Sequence, residues 1–413
     1  MVRNAFAIRT SETSSPDEVF ARYFAPEVLG VLPQEIFATS ALVLRSSPGG
    51  GKTSLMRIFT PGPLLQVVHN HQRSPHDEIH RNLIAIGAVD AAGPRAFGVM
   101  IPCASGYAEI GAPLDDTAAR ALFRALINMR IVLRTLRALC TLNELEYPAG
   151  LHQIACAYTP SLFDEGPIPR EIDLTALRNW AETVESLCFA SIDTVVAVKE
   201  APRHTTFDAV HWLSQATFLP HGRPMAARPI IMFDDVHRLR PWQRAMLYQD
   251  LLDHRTGTPV WLAERTFVLD PAELLTGAVP RRDYEEVRLE QAWYGNKSKQ
   301  YVKFVTSIAD RRVVQMRNDL ESFGDHLADR LPDQPTQGLV AEHLEKIAAD
   351  VRARAAGSAL FDEWLASGDR ATGEPLEKAI EWARLGILIS RERSTPQPSL
   401  ECPSSEFLRQ RAG

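Results

Sequence analysis

The stretch from Phe37 to Phe59, FATSALVLRSSPGGGKTSLMRIF, constrains this chain more than any other. Ala41 to Leu44 is a short apolar run suited to a buried strand, and Ser46 to Gly51 is too rich in Gly, Ser and Pro to continue it. Lys52 to Phe59 then carries Leu55, Met56 and Phe59 at helical spacing, so the order is strand, glycine loop, helix. Without a Cβ, Gly49, Gly50 and Gly51 let successive N–H groups turn inward around an anion, and a following helix points its positive end at the same place. Lys52 supplies a charge for β and γ phosphates, and the Thr53 hydroxyl suits Mg²⁺. The candidate nucleotide contacts are therefore Ser47, Pro48, Gly49, Gly50, Gly51, Lys52, Thr53 and Ser54. The phosphate-loop pattern G-x-x-x-x-G-K-[ST] asks for Gly where this chain has Ser46, a turn position rather than a phosphate contact.

A second motif makes the first specific. RPIIMFDDV, residues 228–236, is an apolar run ending in two carboxylates, as expected of a buried parallel strand whose carboxyl end faces the ion. Asp234 is the expected metal partner of Thr53, and Asp235 the expected base or positioner for an attacking water. TGTPVWLAERTFVL, residues 256–269, reads as the neighbouring strand. Its Arg265 has two readings, a γ-phosphate sensor or a surface arginine paired with Glu264.

One helix, one strand and a second helix need only about 60 residues, yet Asp234 lies 182 positions after Lys52 (234 − 52). A large, mostly helical insertion, residues 104–227, is expected to fill the difference. AFGVMIPC, residues 96–103, and DYEEVRLE, residues 283–290, read as further strands, and PHDEIHRNLIAIGAV as a helix from Pro75. PDEVFARYFAPEVLGVL suggests one or two short amphipathic helices before the core. Residues 146–170 read as loop, 174–190 and 191–218 as helices, and 241–254 as a helix opening on Pro241. The fold expected is α/β: a parallel sheet flanked by helices. Its parts are a lead-in (1–35), a core with its insertion (36–290), a C-terminal helical lid or bundle (291–390) and a mobile tail (391–413).

The longest helical signal runs from Asp115 to Leu142. Leu122, Leu126, Met129, Val132, Leu133, Leu136 and Leu139 share one side, while Arg120, Arg124, Arg130, Arg134 and Arg137 occupy another with no acid from Ala118 onward. Either carboxylates elsewhere in the fold meet this stripe or an external anion such as a nucleic-acid backbone does. The chain's net charge of −6 makes internal partners easy to supply and excludes a global basic field. Five widely spaced cysteines fit neither a disulfide framework nor a zinc site, and His76 and His80, four apart, lack a completing ligand, so a polar surface turn is the better reading of that segment. No apolar run approaches a membrane span, and a cytoplasmic location is expected.

Taken together, ALVLRSSPGGGKTSLMR, IIMFDDVHRLRPWQ and PVWLAERT resemble the AAA+ ATPases, in particular the branch holding origin-recognition-like and STAND ATPases. His237, two residues past the carboxylate pair, is shared with many of that branch. The resemblance covers residues 16–290 apart from the insertion. It implies ATP and Mg²⁺ as cofactors, hydrolysis, self-association or a partner effector protein, and an arginine from Arg281 or Arg282 acting on a neighbouring subunit's γ-phosphate, although the pair reads equally well as a solvated turn leading into DYEEVRLE. Asp235 stands where most AAA+ enzymes carry the longer Glu, and no G-x-P lid motif follows the sensor strand. Bacterial ATPases resembling this branch are frequent in mobile-element and antiviral loci. Two functions are consistent with it: a nucleotide-switched ATPase coupled to a partner or nucleic acid, or a scaffold that binds nucleotide without hydrolysing it.

Overall fold

A computed structural model describes residues 16–314 apart from 34–35, 38–40, 104–106, 108–109, 111–115, 159–166, 171–172, 194–201, 253–256, 267–283 and 294–297, together with residue 349. The chain divides into two compact units, Met1–Gly324 and Asp325–Gly413. The sheet and its flanking helices belong to the first. Beyond residue 314 the expected C-terminal helical part is described only at residue 349, and the expected tail lies outside the described residues, as do Arg281 and Arg282.

Nine α-helices are described: α1 (Asp17–Tyr23), α2 (Lys52–Arg57), α3 (Pro61–His69), α4 (His76–Ala85), α5 (Asp116–Leu142), α6 (Leu174–Asp193), α7 (Asp208–Gln215), α8 (Pro241–Leu252) and α9 (Ser298–Val314). The described strands are β1 (Ala41–Ser46), β2 (Val89–Asp90), β3 (Gly93–Pro94), β4 (Ala96–Pro102), β5 (Ile154–Tyr158), β6 (Ala216–Pro220), β7 (Arg228–Asp234), β8 (Val260–Arg265) and β9 (Glu285–Arg288). Five of them form one sheet in the order β4-β7-β8-β1-β9, with every pairing parallel. Their near-continuous apolar sequences follow from burial: β1 has all six residues buried, and Ile230 to Asp234 of β7 are buried too.

The order decides where chemistry can occur. From β1 the chain crosses to the far edge at β4, returns through β7 and β8, and then places β9 on β1's other side. β1 is thus the point where the strand order reverses, and the crevice beyond its carboxyl end is where an open parallel sheet receives a ligand. The strand carrying Asp234 does not touch β1. β8 lies between them, pairing Ile231 with Val260 on one side and Ser46 with Arg265 on the other.

Between β4 and β7 the chain forms α5, β5, α6, α7 and β6. Helices dominate, yet β5 and β6 pair antiparallel from Ile154↔Pro220 to Tyr158↔Ala216. This corrects the expected loop over 146–170 and the expected helix over 191–218, of which the described residues are helical only at 191–193, the end of α6, and at Asp208–Gln215. In β5 the alternation is five residues long, with Ile154 and Cys156 buried and Ala155 and Ala157 exposed, and prolines flank it. Such a pattern gains strand character only from its partner. α5 also serves the core itself, packing on β4, α3, α6 and α7 and burying Phe123, Leu126, Ile127, Met129, Val132, Leu136 and Leu139. α3 was not anticipated. It opens on Pro61, which supplies the φ of a first helical turn at no hydrogen-bond cost.

His76 is buried in α4 rather than displayed on a surface turn, while His71 stacks on His80 with ring centroids 4.8 Å apart. Among the described residues no cluster of three or more His, Cys, Asp or Glu could hold a metal, and no described helix is long and apolar enough to cross a membrane.

Directly beneath the crevice lies a buried charge hub. Arg45 of β1, 4% exposed, donates to Glu264 of β8 at 2.6 Å and to Glu286 of β9 at 3.0 Å. Burial alone would destabilise the guanidinium charge; Glu264, Tyr248 and Glu286 outweigh it and raise its pKa. Arg45→Met should therefore destabilise the protein by roughly 3–5 kcal/mol by leaving Glu264 buried without a cation. Arg45→Met/Glu264→Met should recover more than half of that loss, as measured by urea unfolding.

Candidate nucleotide site

The phosphate loop leaves β1 at Ser46 and enters α2 at Lys52. Gly49 and Gly51 take left-handed backbone conformations, φ 83° and 88°, which explains two of the three glycines. Gly50 has another reason: a Cβ there would lie 2.4 Å from Ser46 Oγ and 2.7 Å from Ser46 Cβ. The departure from Gly at position 46 and the Gly at position 50 are therefore one packing solution. α2 is only six residues long, so the expected helix-dipole contribution is small and the loop's own N–H groups carry the anion-binding potential.

Lys52, 7% exposed, is held by Ser46 O at 2.9 Å, Ser46 Oγ at 2.6 Å and Ser47 O at 3.3 Å. Burial pulls its pKa down against the opposing pull of Glu290, Asp234 and Asp235. Glu290, just after β9, accepts from Ser47 N and from Ser47 Oγ, the latter at 2.6 Å, and these bonds help to hold its carboxyl below the usual range despite the opposing effect of burial. No motif in the sequence marks Glu290; only the parallel pairing of β9 with β1 brings it there.

Asp234 ends β7 and is 5% exposed. Burial raises its pKa to about 6, even though the Thr53 hydroxyl and the Asp235 N–H, at 2.9 Å, both donate to it. Thr53 and Asp234 thus offer two hard oxygen donors already in hydrogen-bond contact, and a buried carboxylate short of positive charge. Both features fit Mg²⁺, which takes one or two protein oxygens and keeps the rest for water and phosphate. Asp235 adopts φ 55°, ψ 36°, a left-handed conformation that short polar residues tolerate. Its carboxylate lies 3.8 Å from His237 Nδ1 and 3.6 Å from Arg238 Nε.

Arg265 ends β8 and is exposed. Of its two readings, the pairing with Glu264 fails, because Glu264 points into the core at Arg45. Instead Arg265 lines a cavity of about 790 Å³ together with Pro48 to Ser54, Asp235 and His237. The cavity is lined as well by the lead-in, Phe20, Tyr23, Phe24, Ala25 and Val28, and by α9, Phe304, Ile308 and Arg312. Arg57 of α2 fastens the lead-in by pairing with Asp17 at 3.1 Å and stacking 4.5 Å over Phe20. The α9 residues were not foreseen. Their i, i+4, i+8 spacing shows in the sequence, but nothing there says which cavity that face meets.

Two arginines of the α5 stripe pair with carboxylates of other elements, and two exposed ones lie over aromatic rings. Arg124 pairs with Asp250 at 2.8 Å and Arg130 with Glu185. Arg120 and Arg137 stack over Trp242 and Tyr147, at 5.7 Å and 5.0 Å. Burial and then the charges of Arg137 and Arg130 lower the pKa of Arg134. Carboxylates and rings from other elements therefore account for four of the five.

A five-stranded parallel sheet with a phosphate loop at its reversal point, a carboxylate pair two strands away and an arginine-bearing strand between them defines the AAA+ fold of nucleotide-binding ATPases. The family model described as ORC-CDC6-like matches residues 4–390, and the chain belongs to that family. No curated protein matches the chain.

The packing has two measurable consequences. With an ordinary value near 3.8 and a folded value of about 6, Asp234 disfavours folding progressively from pH 4 to 6 and fully above that. Without Mg²⁺ or nucleotide, Asp234→Asn should therefore be more stable than wild type at pH 7 by roughly 1–3 kcal/mol, and equal to it near pH 4, in thermal melts. Gly50→Ala should cost about 1–3 kcal/mol by overpacking. Ser46→Gly in the same chain should restore most of it, measured as a double-mutant cycle on melting temperature.

Proposed function

We propose that this protein is a nucleotide-switched ATPase that binds Mg-ATP in the cavity between the phosphate loop, the lead-in and α9, hydrolyses it, and couples its occupancy to a partner protein, another copy of itself or nucleic acid. The observation that carries the reading is that Lys52, Thr53, Asp235 and Arg265 line one cavity together with aromatic and apolar residues of the lead-in and α9, with Asp234 buried behind them in hydrogen-bond contact with Thr53.

In this reading the loop N–H groups and Lys52 bind the β and γ phosphates, and Thr53 and Asp234 hold Mg²⁺, which offsets phosphate charge when bound. Asp235 orients the attacking water and takes its proton. Arg265 meets the γ-phosphate, where charge grows in the transition state. Phe20, Phe24, Val28 and Phe304 pack on the base. The chain continues from α9 into the second unit, so a change at the γ-phosphate has a covalent route to whatever that unit contacts. Arg281 or Arg282 would complete a neighbour's site in trans. Arg124 and Arg130 of α5 are assigned to the fold through their carboxylate partners.

A scaffold that binds nucleotide without hydrolysing it remains the second reading, favoured by one feature: the short Asp235 carboxylate is held only loosely, at 3.6 Å and 3.8 Å from its neighbours. Titration calorimetry and phosphate release separate the two. Lys52→Ala should abolish Mg-ATP binding, and Asp235→Asn should bind normally while turnover falls on the order of 10²-fold or more. Equal binding by wild type and Lys52→Ala would overturn the nucleotide reading; binding with no turnover by wild type, alone or with added DNA or RNA, would select the scaffold.

A further inference from the structure

The phosphate loop departs from its pattern at one position, and the residue there makes a contact that glycine cannot. An ammonium group has three N–H donors. Lys52 directs two of them at main-chain oxygens, Ser46 O at 2.9 Å and Ser47 O at 3.3 Å, and the third at Ser46 Oγ at 2.6 Å. The hydroxyl is oriented for this role, because its own O–H donates to Ser47 O at 3.0 Å and turns its lone pairs toward the lysine. Water competes little here: Ser46 is 0% exposed and Lys52 7%.

Two neighbours keep the arrangement in place. The missing Cβ of Gly50 leaves the space that the Ser46 side chain fills. Glu290 grips Ser47 through its N–H and its hydroxyl from the other side of the loop. Moving the Ser46 side chain aside would break its hydrogen bond to Ser47 O. In a loop with Gly at this position, two main-chain oxygens would leave one ammonium donor for phosphate; here the serine hydroxyl takes that donor.

We infer that Ser46 sets the nucleotide affinity of this site by holding the Lys52 ammonium on the loop, so that a triphosphate must displace a protein hydrogen bond before Lys52 can grip it. The inference rests on the nucleotide reading of the cavity. It makes Ser46 a positioning residue that acts through Lys52, with weaker binding of Mg-ATP as its consequence.

The test uses the full chain and titration calorimetry with Mg-ATP, with thermal melts in parallel. Ser46→Ala removes the hydroxyl and keeps the Cβ beside Gly50, and it should bind Mg-ATP roughly 10-fold more tightly than wild type, the worth of one hydrogen bond to a charged group. Ser46→Gly should bind at least as tightly as Ser46→Ala and serves if the alanine variant misfolds. KM should fall by the same factor with kcat unchanged, since a contact made equally in ground and transition states is being gained. A folded Ser46→Ala or Ser46→Gly protein that binds Mg-ATP no better than wild type overturns the inference while leaving the nucleotide reading intact. Failure of wild type itself to bind, or binding that Lys52→Ala does not affect, removes the nucleotide reading and this inference with it.

Discussion

Arg45 is the residue on which the geometry of the site depends. It stands one position before the phosphate loop and is buried between two carboxylates from different strands, Glu264 of β8 and Glu286 of β9. Removing three charged groups from water is unfavourable by several kcal/mol per ion, and only close, well-directed contacts offset it. The arrangement therefore tolerates little sliding. Each of the three strands leads within one to four residues to a part of the site: the loop from Ser46 after β1, Arg265 at the end of β8, and Glu290, which holds Ser47, after β9. A shift of one strand against another would separate these groups and break a buried ion pair at the same time.

Above that hub the loop is fastened from two directions by opposite chemistry. Glu290 takes the donors of Ser47, and Lys52 takes the acceptors of Ser46 and Ser47. The residue that departs from the loop pattern supplies one of those acceptors. The lead-in is fastened to the same body by Arg57, and α9 contributes Phe304, Ile308 and Arg312 to the cavity lining. The cavity beside the loop is thus lined by residues from both the lead-in and α9.

Much of the core was legible in the sequence because its signals are local. A glycine loop after an apolar run, an apolar run ending in Asp234 and Asp235, and a third run ending near Arg265 each state their own conformation, and their order implies a parallel sheet with its ligand at the carboxyl edge. The resemblance of these segments to AAA+ ATPases agrees with the ORC-CDC6-like family match. β5 and β6 were not legible: each is five residues long, and they pair across a separation of 58 residues at their closer ends (216 − 158). The arginines of α5 were visible as a stripe, but Asp250, Glu185, Trp242 and Tyr147, which receive four of them, lie on other elements.

The sequence by itself determined the conformations that depend on a residue and its near neighbours: where glycine frees the backbone, where alternation stops, where a helix buries one face. Only the tertiary structure decided which of two partners a charged group takes. Glu264 sits beside Arg265 in the chain, yet strand geometry turns successive side chains to opposite faces, so Glu264 meets Arg45 in the core and Arg265 is left to the crevice. The same holds for Glu290, which reaches Ser47 across 243 residues of chain because β9 lies on β1 in parallel. Partners of this kind are fixed by the sheet's order and register, and those follow from the summed burial of the whole core rather than from any one stretch of it.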